Sequence, residues 1–253
     1  MKKWLKRIGI GVLVLFGLGA LGFLIVHESI PTGEAGEKAD ALARKMMTAI
    51  NDEAWKNTEA IRWDFGGRHK LLWDRKRHFA QVSWDENVVL INNHNMTGIV
   101  KQKKFDNKES DEELIREAWE IWVNDSFWLN PVSKVFDPGT IRKLVKMPDG
   151  KEALLITYQS GGVTPGDSYL WIVDEKGLPT AWKLWVDIVP FGGFRFSWEE
   201  WVTLATGVKV STFHHSTLFD LRLSDIQAAT TLAGLVGAQD PFAELESIQK
   251  QKP

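Results

Sequence analysis

Thr180-Ala181-Trp182-Lys183-Leu184-Trp185-Val186-Asp187 decides the fold class of this chain. Trp182, Leu184 and Val186 fall on one side of an extended backbone, and Lys183 and Asp187 fall on the other. That two-residue period belongs to a strand with one apolar and one polar face. Upstream, residues 169–173 form a second apolar run across Asp174-Glu175-Lys176-Gly177, a turn sequence, so the two runs read as a hairpin. The same grammar repeats outward. Residues 143–147 and 151–158 flank Pro148-Asp149-Gly150, and residues 193–203 and 208–215 flank Ala205-Thr206-Gly207. Further upstream, Ile61, Trp63 and Phe65 alternate with Arg62 and Asp64, and Ala80, Val82 and Trp84 alternate with Gln81 and Ser83. Leu71 and Trp73 sit on a strand between them, and residues 88–91 form another before a polar Asn92-Asn93-His94-Asn95 loop. Short runs joined by turns predict an antiparallel meander.

Two stretches change to helical spacing. Ala39, Leu42, Ala43, Met46 and Ile50 predict an amphipathic helix over residues 36–55. Ser110 with Glu113 three residues on is a capping-box signature, opening a helix over 111–124 whose Ile115, Ala118, Trp119 and Trp122 share a face. Residues 127–139, with Pro131 and Pro138, read as irregular. The expected fold is α+β: a curved antiparallel sheet, a half-open barrel, covered by helices over residues 37–237. Residues 28–36 read as a linker and 238–253 as a polar, mobile tail.

Residues 8–26 carry no charge, follow Lys2, Lys3, Lys6 and Arg7, and precede His27 and Glu28. Nineteen residues at about 1.5 Å rise span most of a ~30 Å hydrocarbon core. Residues 1–27 are therefore predicted to be a basic cytoplasmic tip and one transmembrane anchor. The rest then lies outside the cytoplasm, tethered to the inner membrane. A cleaved signal peptide is the rival reading. Its apolar region is usually shorter, and the first small-x-small triplet, Gly33-Glu34-Ala35, is set apart by polar residues and Pro31. Beyond residue 26 the chain holds 27 basic and 33 acidic residues. That balance excludes a nucleic-acid grip through a broad basic surface. The absence of cysteine excludes disulfides, thiolate metal sites and lipid attached to cysteine.

Thirteen Trp stand against two Tyr in this chain. Alternation assigns Trp63, Trp84, Trp182 and Trp198 to one sheet face with Phe194 and Phe196, and Trp73 and Trp171 fit the same face. Each indole buries some 200 Å² and wants a partner for its N–H. Such a face either packs a core or lines a cleft for an apolar ligand, and rings at its two ends can serve each purpose. Glu200 would share that face with Trp198 and Val202. An inward carboxyl needs a partner or a raised pKa.

An N-terminal helix, a long meander, a mid-chain helical insertion and an aromatic inner face together resemble the bacterial lipoprotein-carrier fold. That fold is the incomplete barrel of the outer-membrane lipoprotein localisation factors. Asn124-Asp125-Ser126-Phe127-Trp128-Leu129 and Val163-Thr164-Pro165-Gly166-Asp167-Ser168-Tyr169 also look like segments of uncharacterised exported bacterial proteins. The resemblance implies a cavity for acyl chains, held by the rings named above, with a lipid or lipidated protein as partner. A tethered chain without cysteine departs from both the soluble carrier and the lipid-anchored acceptor, so a stationary binder is expected rather than a shuttle.

Enzyme signatures are thin. Of the six histidines, His214 and His215 point to opposite sides of a strand and cannot chelate together, whereas His69 and His78 flank a hairpin and are able to approach. The glycine-rich residues 160–168 lack the strand-to-helix context of a nucleophile elbow or phosphate loop. No metal and no cofactor is implied. The chain reads as a non-enzymatic, membrane-tethered binder of an apolar ligand. The alternatives are an envelope hydrolase using Glu200 or a histidine, and a scaffold meeting a protein partner.

Overall fold

The computed structural model describes residues 27–251, so the anchor expected over residues 8–26 lies outside the described residues. Among the described residues no helix is long and apolar enough to cross a membrane. The architecture is α+β, with two large antiparallel sheets, neither of them closed.

The first helical run breaks in two, α1 (Glu37–Ile50) and α2 (Asp52–Lys56). Asn51 between them adopts a left-handed φ of 60°, and its side-chain amide donates to the Gly207 carbonyl at 3.0 Å. The single helix expected over 36–55 is thus corrected by a local cap that a distant turn holds in place. Strands β1 (Ala60–Phe65), β2 (His69–Asp74), β3 (Phe79–Trp84), β4 (Asn87–Asn92) and β5 (Thr97–Gln102) then form an unbroken meander. α3 (Asp111–Leu129) follows, opened by the expected capping box: the Glu113 amide donates to Ser110 Oγ, and the Ser110 amide donates to Glu113 Oε2. It runs five residues past the expected end, to Leu129, and stops at Pro131.

β6 (Thr140–Lys146), β7 (Glu152–Tyr158), β8 (Ser168–Val173), β9 (Pro179–Trp185) and β10 (Phe194–Ser197) make the second, five-stranded sheet. The chain then returns to the first sheet through β11 (Glu199–Thr203), β12 (Lys209–His215) and β13 (Asp220–Ala229). β13 pairs with β1, which gives an eight-stranded sheet in the order β11-β12-β13-β1-β2-β3-β4-β5. Residues 193–203, read as one strand, are therefore two. Trp198 is the crossing point, and its amide makes a last bond to the Thr180 carbonyl at 2.8 Å.

Each sheet buries one face under its own helix. Ala39, Ala43, Met46 and Ile50 of α1 lie on the five-stranded sheet, and Leu114, Ala118 and Leu129 of α3 lie on the eight-stranded one. We call these the inner faces. The outer face of the five-stranded sheet is crossed by residues 28–34. There the Trp185 indole donates to the Glu28 carbonyl at 2.6 Å, and Glu34 forms an antiparallel bridge with Leu144. The outer face of the eight-stranded sheet is covered by the C-terminus. Phe242 and Leu245, just before and within α5 (Ala243–Gln251), are buried against Phe79 and Leu90.

Residues 238–251, expected to belong to a polar, mobile tail, lie against this outer face. Phe242 and Leu245 dock them together with Arg77, whose guanidinium bonds Asp74, Asp240 and Glu246 at 2.6, 2.7 and 2.7 Å. Arg77→Ala is expected to cost roughly 2 kcal/mol, because Asp74 stays buried but keeps two backbone donors. Limited proteolysis should then cut within residues 238–251 of the variant and spare the parent. Acid should act similarly. Arg77 lowers the carboxyl of Asp240, and Lys250 and Arg77 lower that of Glu246. Their contribution is full above the pKa of free carboxylates and is lost as pH falls through the lowered values.

Candidate functional site

The structure divides the expected aromatic face between the two sheets. Trp63, Trp73 and Trp84 pack under α3 on the eight-stranded sheet, whereas Trp171, Trp182, Trp198, Phe194 and Phe196 gather on the five-stranded sheet. In the second group Trp171, Trp182 and Trp198 are in mutual contact, with ring centroids 4.8, 5.1 and 4.9 Å apart. Trp171 and Trp182 are 0% exposed.

What covers them is the chain itself. The last turn of α3 lowers Phe127 and Trp128 onto the cluster. Trp128 lies 4.8 Å from Trp182 and 5.0 Å from Phe196, and Phe127 lies 5.1 Å from Tyr169. The hollow expected to receive a guest is filled by these two rings and by α1. Sequence reading missed both because it ended the helix at residue 124. The available signal was the buried stripe Leu114, Ala118, Asp125, Leu129, which carries helical spacing on to Pro131.

The indole N–H groups of Trp63, Trp73, Trp171, Trp182 and Trp198 have no acceptor among the described residues. Around Trp73, Trp171, Trp182 and Trp198 the neighbours are other rings, which accept an N–H only weakly. The indoles of Trp119, Trp185 and Trp201 do find carbonyls. His214 belongs to the same cluster, 4.3 Å from the Trp198 ring and 5.2 Å from Trp128. Burial lowers its pKa to about 4, so the imidazole is neutral, with Nδ1 3.2 Å from the Ser197 carbonyl oxygen. His215 faces the other way, to Asp220 at 2.6 Å.

Glu200 is corrected outright: it lies outside the cluster. The sheet change at Trp198 and a left-handed φ of 50° at Glu200 break the alternation that had placed it inward. Its carboxylate is exposed and bonds Arg222 at 2.6 Å, which holds it below the usual carboxylate range. An exposed pair of this kind contributes little to stability. Val202, expected beside it, is exposed as well.

His69 and His78 do not meet. β2 pairs His69 with Trp84 and Asp74 with Phe79, so the two imidazoles sit at opposite ends of the hairpin. His69 instead bonds Asp125, Nδ1 to Oδ2 at 2.7 Å, and stacks on Phe65. Asp125 is fully buried on the α3 stripe. Burial raises its carboxyl pKa against the opposing bonds from His69 and Asn124. A carboxylate-oriented imidazole is one part of a general base. Among the described residues no hydroxyl hydrogen-bonds His69, and no group of three His, Asp or Glu is arranged to hold a metal. A groove of about 400 Å³ lies beside α4 (Leu232–Val236), lined by Leu232, Val236, Glu59 and Arg77, and is separate from every ring named.

The cluster has one exposed end. Phe196 and Phe194 lie 5.4 and 6.3 Å from Phe219, in the turn between β12 and β13, and Phe219 is 53% exposed. Contacts between rings thus run unbroken from Trp171 to the surface.

No protein-family model matches this chain, and no curated protein matches it. Among solved structures it is similar to the crystal structure of a DUF1329 family protein from Desulfovibrio piger. That likeness has 12% sequence identity and a TM-score of 0.40, and covers 85% of this chain and 100% of that one.

Proposed function

We propose that the protein is a membrane-tethered, extracytoplasmic, non-enzymatic binding module for an apolar ligand, a lipid or a lipidated protein. In this reading its two sheets act as a half-open barrel. The observation that supports it is the ring path from Trp171 through Trp182, Trp128 and Phe196 to the exposed Phe219. It emerges at the end of the five-stranded sheet where the chain comes from the uncharged residues 8–26. Phe127 and Trp128 occupy the place of a guest, so an acyl chain binds by exchanging with them at that end. The driving force is apolar surface removed from water, about 25 cal/mol per Å² before ordering costs.

Native mass spectrometry of residues 27–253 tests this. Lipid is expected on the parent, more on Trp128→Ala, in which the filling ring is gone, and less on Phe219→Asp. Lipid on neither the parent nor Trp128→Ala would sink the reading. The depth at which the rings are buried would then favour a scaffold that meets a protein partner.

A further inference from the structure

We propose that the β9–β10 loop and the β12–β13 turn form a bilayer contact, with Ile188, Leu218 and Phe219 seated at the lipid–water boundary. The inference rests on the tether reading above and adds an orientation to it. These side chains are 78%, 69% and 53% exposed. The two connections belong together: Phe219 lies 6.3 Å from Phe194, which lies 5.7 Å from Phe191 in the β9–β10 loop.

The position of the chain identifies the occupant. Gly192, next to Phe191, donates its amide to His27 Nδ1 at 3.0 Å and accepts the Glu28 amide at 2.9 Å. The Glu28 side chain is held by Lys183 at 2.6 Å. Gly192 and Gly193 allow this approach, since a Cβ on either would meet Glu28 atoms at 2.8 and 2.6 Å. Residue 26, the last of the uncharged run, is therefore one peptide, about 3.8 Å, from a residue pinned to the loop. No slack separates the membrane segment from the apolar patch. In the tether reading, a bilayer entered by residues 8–26 lies at this end of the domain, where His27 and Glu28 are bonded to Gly192. The charged residues adjoining the exposed side chains in sequence are Asp187, Asp220 and His215, and the nearby Lys183 is paired with Glu28 and lies across from Arg195; the balance of charges is mixed, so the contact is apolar and does not need anionic lipid.

The chain has no cysteine, so single replacements carry a label cleanly. Ile188→Cys, Leu218→Cys and, as control, Phe105→Cys would be coupled to an environment-sensitive fluorophore in the full-length chain. Phe105 is fully exposed in the connection after β5, at the far edge of the eight-stranded sheet. In phosphatidylcholine vesicles containing lipid spin-labelled near the headgroup, labels at 188 and 218 are expected to lose most of their emission. The label at 105 should keep its emission. If 188 and 218 behave like 105 while the chain resists carbonate extraction, the tether stands and the bilayer contact is refuted. Shielding of 188 and 218 from aqueous iodide without quenching by lipid means that a protein or a second copy covers the patch, and also refutes it. Carbonate-extractable chain overturns the tether reading and this inference with it.

Discussion

Trp182→Ala is expected to be the most damaging single truncation in the domain, lowering the free energy of unfolding by about 3–5 kcal/mol. Trp182 is fully buried and its ring meets Phe127, Trp128, Tyr169, Trp171 and Trp198. These rings come from α3, β8 and the sheet crossing, and Trp182 itself from β9. Deleting the central one leaves a void that no single element can collapse to fill. The indole N–H has no partner, so the loss comes from ring contacts and volume. Trp182→Phe should accordingly cost much less, because it sacrifices no hydrogen bond and keeps an aromatic face. Urea unfolding of both variants measures the difference. A loss below about 1 kcal/mol for Trp182→Ala would mean that the rings are loosely held and that the face is a true cleft.

The second large effect is a pH dependence centred on His214. Burial beneath Trp128 and Trp198 lowers its pKa from 6.5 to about 4. The unfolded chain takes up a proton there below pH 6.5, while the folded chain resists until about pH 4. The stabilising contribution is therefore complete above the unfolded value and disappears as pH falls through the folded one. The gap corresponds to about 3 kcal/mol between roughly pH 6.5 and pH 4. His214→Phe keeps a ring against Trp198 and cannot titrate. At neutral pH it should cost about 1 kcal/mol for the bond to the Ser197 carbonyl. Its stability should then fall much less than the parent's on acidification to about pH 4.5, above most carboxylate titration. Parallel pH profiles for parent and variant would show that the imidazole is hydrated in the native state.

Both effects depend on residues that sequence reading placed only in part. Alternation put Trp63, Trp84, Trp182, Phe194 and Phe196 on buried faces, and they are buried. It also located the hairpins at Asp174-Glu175-Lys176-Gly177 and Pro148-Asp149-Gly150, because turn chemistry is local. It missed β13, the strand that joins the C-terminal hairpins to β1. Leu221 and Leu223 alternate correctly, but Asp225 at a φ of 52° shifts the register and ends the visible period. It missed β5 because an edge strand needs no apolar face.

The amino-acid sequence alone determined that this is an α+β chain of antiparallel strands with an uncharged N-terminal run and a surplus of indoles on one side of its strands. Each of those properties is written in neighbouring residues. Tertiary structure alone decided that the indoles belong to two sheets, that Glu200 points to solvent, that His214 is sealed in, and that Phe127 and Trp128 fill the hollow. The physical reason is the reach of the two signals. Side-chain period reports which way a residue faces from its own backbone. What stands opposite that face is set by contacts between elements far apart in the chain, such as Trp128 over Trp182, and no local period encodes them.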